Sequence, residues 1–336
     1  MVNPQPASSD RIHVTRSRAK PGGAGTEVEG AIPFRSRKPP WLKVPPPGGP
    51  TYRKLKATIG DEGLNTVCEE ANCPNIGECW ERGTATFMIL GDVCTRGCRF
   101  CAVTSGNPRG WLDPLEPKKC ADTVAAMNLR YVVVTCVDRD DLPDGGAGQF
   151  AAVIRAIRER KPDCFVEVLT SDYGGKREDI GRVLEAAPDV FAHNVETVKR
   201  LTPTVRDRRA GYELSLSVLA QAKQMEPKRI TKTSLMLGLG ETRDEILETL
   251  THIRDARVDV VTLGQYLQPS RKHLAVASYL APEVFDELAE RAREMGFLYV
   301  ASGPLVRSSY KAGEYFLANH LARERAYEVR GGAIEV

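Results

Sequence analysis

From Phe87 onward the chain repeats one unit: a short apolar, β-branched run, a polar loop, then a stretch with helical spacing. The apolar runs fall at 87–91, 131–137, 164–169, 190–195, 232–238 and 258–264, and a shorter one at 297–301 offers a seventh strand. Helical patterns lie near 117–129, 149–160, 176–186, 213–225, 241–256 and 283–295. Strands joined by helix-length crossovers pair in parallel, and the crossovers are right-handed. The spacing therefore predicts an α/β fold, a partial parallel (β/α)6 barrel of TIM type, open rather than closed by eight units. In such barrels the loops leaving the strands gather on one face, where the chemistry is done.

Six of the nine cysteines stand in two ordered sets beside the first strand: Cys68, Cys73 and Cys79 as C-x4-C-x5-C, then Cys94, Cys98 and Cys101 as C-x3-C-x2-C. An odd cysteine count at metal-ligand spacing, with no signal peptide, argues against a secreted disulfide scaffold and for a reducing compartment. Thiolates are soft ligands that select zinc or iron–sulfur clusters over hard cations. Structural zinc usually takes four protein ligands. Each set here supplies three, which suits three irons of a four-iron cluster and leaves the fourth iron open. A zinc-stabilised binding module is the non-enzymatic alternative.

Residues 1–50 carry Pro, Gly, Ser and scattered charge and end in Pro45-Pro46-Pro47-Gly48-Gly49-Pro50, so they read as a flexible or surface-wrapping arm. Asp10, Glu27 and Glu29 make this arm a poor match to a mitochondrial transit peptide. The cytoplasm is the expected location, with the mitochondrial matrix as the alternative. No apolar run approaches the roughly 20 residues that span a bilayer. A net charge of +3, from 47 cations against 44 carboxylates, gives no footprint for nucleic acid.

The segment Cys94-Thr95-Arg96-Gly97-Cys98-Arg99-Phe100-Cys101 resembles the cluster motif of radical S-adenosylmethionine (radical SAM) enzymes, with an aromatic residue before the third cysteine. In that family the fourth iron is chelated by the cofactor's methionyl group, and reductive cleavage yields a 5′-deoxyadenosyl radical. Cys68-Glu69-Glu70-Ala71-Asn72-Cys73-Pro74-Asn75-Ile76-Gly77-Glu78-Cys79 is similar to the auxiliary-cluster segment of lipoyl synthases, and Arg307-Ser308-Ser309-Tyr310 resembles their C-terminal signature. Further agreement comes from Asp138 to Asp141, Asp144-Gly145-Gly146, His193 to Thr197, Gly238 to Thr242 and Gly264 to Ser270. The likeness runs from about Pro39 to about Gly313. Cys136 and Ser171 depart from it, standing where serine and proline are usual.

The resemblance implies two four-iron clusters and S-adenosylmethionine as cofactors. One cluster is held by Cys94, Cys98 and Cys101, and an auxiliary one by Cys68, Cys73, Cys79 and Ser309, with Ser308 as the second candidate. It divides the chain into the arm (1–50), an auxiliary-cluster extension (51–86), the barrel (87–302) and a C-terminal segment (303–336) that closes on the auxiliary cluster. The implied reaction inserts two sulfurs, at carbons six and eight, into an octanoyl chain on a carrier lysine, using one adenosylmethionine per hydrogen removed. Such C–H bonds are beyond side-chain acids and bases. Implied partners are octanoylated lipoyl domains of 2-oxo acid dehydrogenases or the glycine-cleavage H protein, a ferredoxin- or flavodoxin-type reductant and an iron–sulfur carrier. A methylthiotransferase-like radical enzyme is the enzymatic alternative.

Phe100, Asp138, Asn194, Glu196, Gln265 and Leu267 sit at strand ends where the resemblance aims them at adenosylmethionine. Asn194 and Glu196 also read as a solvated strand end, and Leu267 as core. Arg307 suits a cluster or a carboxylate, its planar fork matching either anion, and Ser309 is expected to be the ligand through which the auxiliary cluster opens. Cys120, Cys136 and Cys164 read as packing, and the histidines show no ligand spacing.

Overall fold

Seven strands lie in a single parallel sheet in chain order: β1 (Thr86–Ile89), β2 (Tyr131–Cys136), β3 (Phe165–Leu169), β4 (Val190–Ala192), β5 (Ile230–Leu237), β6 (Val260–Gln265) and β7 (Tyr299–Gly303). The computed structural model describes residues 31–81 and 86–309. The C-terminal part of the Arg-Ser-Ser-Tyr signature, Tyr310, and all that follows lie outside the described residues. The crossovers are α2 (Glu116–Ala126), α3 (Ala147–Arg160), α4 (Arg177–Glu185), α5 (Tyr212–Met225), α6 (Arg243–Asp255) and α7 (Pro282–Glu294). The partial barrel is thus six β/α units plus a seventh strand, and the barrel runs to Gly303.

Strand alternation sorts the apolar residues into two sets. Tyr131, Val133, Phe165, Val190, Ile230 and Val260 form the barrel floor, while Val132, Val134, Val166, Val168 and Phe191 pack outward against the helices. Burial on both faces explains why the runs read as continuous rather than alternating hydrophobics. Inside the barrel, Lys232 Nζ donates to Glu167 at 2.8 and 3.0 Å, and Tyr131 OH donates to Glu167 at 2.5 Å. Each buried charge has its counter-charge, the condition for keeping it there.

Before the barrel, α1 (Pro50–Asp61) is a helix that the apolar pattern did not announce. Proline at its first position suits helix initiation, Leu55 and Ile59 bury its inner face, and Glu81 accepts the Tyr52 N–H at 3.1 Å. Asn65–Thr66 then pairs antiparallel with β1. Among the described residues this edge does not pair with β7, so the barrel stays open. Two hydrogen bonds span the seam: Asn75 Nδ2 donates to Leu305 O at 2.7 Å and Thr86 Oγ1 to Ser309 Oγ at 3.0 Å.

At the opposite end of the extension, Ile32 N donates to Val276 O at 2.8 Å, so the described part of the arm crosses the face formed by the strand ends. The helix α6 starts at Arg243 because Thr242 and Glu245 form a capping box. Gly238 and Gly240, at φ +98° and +103°, make the turn before it.

Candidate active site

The second cysteine set hangs from a turn just past β1. Leu90 takes φ +69°, its N–H donating to the Glu116 carboxylate at 3.0 and 3.1 Å and its carbonyl accepting from Arg139 Nη1 at 3.0 Å. Both clamping side chains are buried, which is how a leucine is held in a left-handed conformation. The loop beyond is fastened from three sides. Arg96, buried, donates to both Asp172 oxygens at 2.5 and 2.7 Å and to Asp140 at 2.9 Å. Gly97 N donates to Asp207 at 2.8 Å, and the Asp207 N–H points at Cys98 Sγ at 3.2 Å. His273 Nε2 lies 2.9 Å from the Cys101 carbonyl.

Burial opposes a charge on Arg96, yet the carboxylates of Asp172 and Asp140 raise its pKa above the ordinary range. The thiols respond the other way. Burial pushes Cys98 up to about 12 and raises Cys94 as well, with the Asp138 carboxylate adding to the shift. Thiols that their surroundings keep protonated become thiolates when a metal coordinates them, because the metal's charge inverts the local balance.

The first set comes from the extension. Cys68, buried, lies in the turn Val67–Glu70, and Cys79 in the short helix Ile76–Glu81. Cys68, Cys73, Cys79, Thr86, Arg307 and Ser309 line one recess, so residues more than two hundred positions apart meet there. Burial raises Cys68 to about 11, with Cys73 adding to it. Arg307 is held by carbonyls, Val306 O at 2.6 Å and Pro304 O at 3.5 Å. Burial lowers its pKa, with Cys73 opposing, and its planar fork suits an anionic occupant. Gly264 permits this arrangement, since a Cβ there would stand 2.1 Å from Val306 O.

The recess shares Cys68, Cys73, Arg307 and Ser309 with a cavity of 680 Å³ over the strand ends. Cys94, Cys98, Cys101, Phe100, Asp138, Asn194, Glu196, Gln265 and Leu267 all border that cavity. Phe100 also packs against the apolar cluster that contains Val205, Leu239 and Tyr266. Asp138 accepts from Ser171 Oγ at 2.6 Å, and burial raises its pKa against the pull of Arg96. Asn194 donates to Glu196 at 3.2 Å. Glu196 itself sits at φ +71°, a conformation that collects at functional sites, and burial raises its pKa.

Gln265 has a different use from the one its position suggests. Its amide donates to Leu237 O, Tyr266 O and Ser278 O and accepts from Leu280 N, all within 2.8–3.1 Å. It shapes the wall by fixing the backbone rather than by offering free polar atoms. Tyr266 is buried, with its hydroxyl on Leu274 O at 2.8 Å. Cys136 borders the cavity instead of being fully packed, whereas Cys120 and Cys164 are buried.

Several residues were given no role by the sequence. His193 Nδ1–H donates to Thr170 O and its Nε2 accepts from Ser215 Oγ, both at 2.9 Å, and Ser215 in turn accepts from Arg206 at 2.8 Å. Burial, with Arg206 adding, pushes His193 down to about 4, so the ring is neutral. Arg96, Asp172, Arg206 and Asp207 sit in unremarkable local sequence, and their partners are distant in the chain. Asp138 to Asp141, Asn194 and Glu196, following strand ends, hinted at the polar rim.

The residues present fit the groups such a site would hold. Arg206 Nε and Asn194 Oδ1, buried on the cavity wall, lack hydrogen-bond partners, as a polar ligand's contact points would. No three His, Cys, Asp or Glu side chains among the described residues converge enough for a single ion.

A parallel partial barrel with a three-thiol loop after its first strand defines a radical SAM enzyme, and the Radical SAM superfamily model matches residues 88–253. The model for the N-terminal domain of lipoyl synthase of the Radical SAM family matches residues 23–73. Lipoyl synthase of Thermus thermophilus is 58% identical over 285 residues, covering 85% of this chain and 88% of that protein. The mitochondrial lipoyl synthase of Arthroderma otae is 52% identical over 335 residues, covering 98% and 80%. The chain belongs to the lipoyl synthase family. Its barrel also resembles that of Streptococcus suis SuiB, crystallised bound to S-adenosylmethionine, at a TM-score of 0.51 over 68% of this chain and 53% of that one; at 8% identity the likeness is of fold alone. Membership in this family removes the zinc-module and methylthiotransferase alternatives, and the radical SAM domain implies a four-iron cluster and S-adenosylmethionine.

Proposed function

We propose that the enzyme inserts two sulfur atoms, at carbons six and eight, into an octanoyl chain carried on a protein lysine, drawing both from a second four-iron cluster held by Cys68, Cys73, Cys79 and Ser309. The observation that carries this reading is that Cys68 and Cys73 of the first thiol set and all three thiols of the second border one 680 Å³ cavity, with Cys79 in the recess that opens beside it, so one substrate carbon can be reached from either side. When bound, the groups supply a primary carbon radical at one wall and sulfide at the other. The chain's own residues orient and enclose.

Cys94, Cys98 and Cys101 would hold the first cluster, and Asn194, Glu196, Arg206 and Phe100, which line the same cavity, would bind S-adenosylmethionine. Asp138 and Ser171 fix the near wall. Met88, Val103, Leu235 and Met236 supply the apolar lining that an alkyl chain requires. Arg307 would balance the negative charge of the second cluster, and Ser309 would offer it a hard oxygen ligand, a poorer match to iron than thiolate.

The substrate arrives on octanoylated lipoyl domains of 2-oxo acid dehydrogenases or on the glycine-cleavage H protein, with electrons from a ferredoxin- or flavodoxin-type reductant and the second cluster renewed by an iron–sulfur carrier. The location is cytoplasmic; the second reading, a mitochondrial matrix, draws on the Arthroderma relative. Among the described residues no helix is long and apolar enough to cross a membrane. The test is anaerobic iron and sulfide content. About eight irons falling to about four in a Cys68→Ala, Cys73→Ala, Cys79→Ala variant supports two clusters, and an unchanged content sinks the second one.

A further inference from the structure

Residues 31–60 contain seven cations, Arg35, Arg37, Lys38, Lys43, Arg53, Lys54 and Lys56, and no carboxylate. That excess is larger than the net charge of the whole chain, +3, so the rest of the molecule is net acidic. Among the described residues only Lys56 of the seven meets a carboxylate, Glu69 at 3.9 Å. Charges segregated in this way are uncommon on a mixed surface, where both signs normally intersperse.

The position of the stretch gives the segregation a use. Its first half is the arm that bridges to Val276 and is pinned by buried Leu42. Ile32, Phe34, Lys38 and Val44 border the cavity's mouth. Phe34, Trp41 and Val44, which stand among the cations in the chain, are 46%, 38% and 38% exposed. Aromatic and apolar side chains set among arginines are the composition of protein interfaces. A long acyl-lysine entering the cavity must bring its carrier's surface against this rim.

We infer that the arm from Ala31 to Val44 is the docking surface for an acidic face of the carrier protein that presents the acyl-lysine, an inference that rests on the proposed function. Its cations steer the carrier and its apolar residues seal the mouth, so the arm acts on encounter rather than on chemistry.

The test compares two substrates, an intact octanoylated carrier domain and a short uncharged octanoyl-lysine peptide, on the reconstituted full chain. In an Arg35→Glu, Arg37→Glu, Lys43→Glu variant, kcat/KM for the carrier is expected to fall roughly ten-fold or more. The peptide kinetics are expected to be unchanged, and the wild type's loss of carrier activity with rising salt should vanish. The matching glutamine variant should fall less, in the same direction. Equal treatment of the carrier by wild type and variant overturns the inference, as does a parallel fall on the peptide. A wild type that converts neither substrate overturns the functional reading and this inference with it.

Discussion

At the edge of the thiol recess, Ser309 Oγ accepts a hydrogen bond from Thr86 Oγ1 at 3.0 Å, placing a hard oxygen where the other donors are sulfur. If Ser309 is the release point, Ser309→Cys should assemble both clusters and cleave adenosylmethionine yet insert sulfur at least ten-fold more slowly, roughly the effect of one stronger ligand bond; a normal insertion rate removes that role. Gly264→Ala should act nearby by displacement. Its Cβ would meet Val306 O at 2.1 Å, so iron is expected to drop to about half while the Cys94 cluster stays. His193 supplies the pH dependence. Its folded pKa of about 4 lies below the ordinary 6.5, so the unfolded chain binds the proton more readily, and stability falls as pH drops through that window and not above it. The full window amounts to roughly 3 kcal/mol. Anaerobic urea unfolding should show about 1 kcal/mol lost between pH 7.5 and 5.5 in wild type and little in His193→Gln. Equal slopes would contradict this.

Apart from the short parallel pairing of Val93–Cys94 with Thr104–Ser105, the cysteine loop has no strand or helix, and ion pairs hold it in place. Asp172→Asn keeps the shape but removes one of the three carboxylates that face Arg96, and should lower unfolding free energy by about 3 kcal/mol; a change below about 1 kcal/mol would show that Asp140 and Asp138 suffice. Nothing in the local sequence announces this pairing. Arg96 is one of the unspecified positions of C-x3-C, and Asp172 stands 76 residues away. The barrel strands, by contrast, were legible to within a few residues, because burial on both faces leaves long β-branched runs such as Tyr131–Cys136. The helix α1 was not, since only Leu55 and Ile59 of its twelve residues are buried and prolines lead into it. Gln265 shows the limit for the site. A strand-end position can be read, but whether its amide faces ligand or backbone is decided by the Ser278–Leu280 segment, packed against it from beyond β6.

For the whole molecule, the open seam is the organising feature. The extension before β1 and the segment after β7 meet across it through Asn75 and Ser309, so the second thiol site exists only when both ends of the barrel are in place. The sequence displayed the two thiol sets in order, because cysteine spacing survives in one dimension. It did not display the closure, which depends on contacts such as Asn75 to Leu305. Asn75→Ala should therefore cost about 1 kcal/mol of stability and loosen the Cys68 site while leaving the Cys94 loop intact, read as preferential loss of half the iron during anaerobic chelation; even loss from both sites would argue against a seam-dependent cluster. The central claim is that the second thiol site is both structural partner and sulfur source. The most direct measurement is a single anaerobic turnover of enzyme reconstituted with isotopically heavy sulfide, followed by mass spectrometry of the carrier lysine. Two heavy sulfurs in the product, and none formed by the Cys68→Ala, Cys73→Ala, Cys79→Ala variant, is the expected result. Light sulfur in the product, or sulfur insertion by the variant, would contradict it.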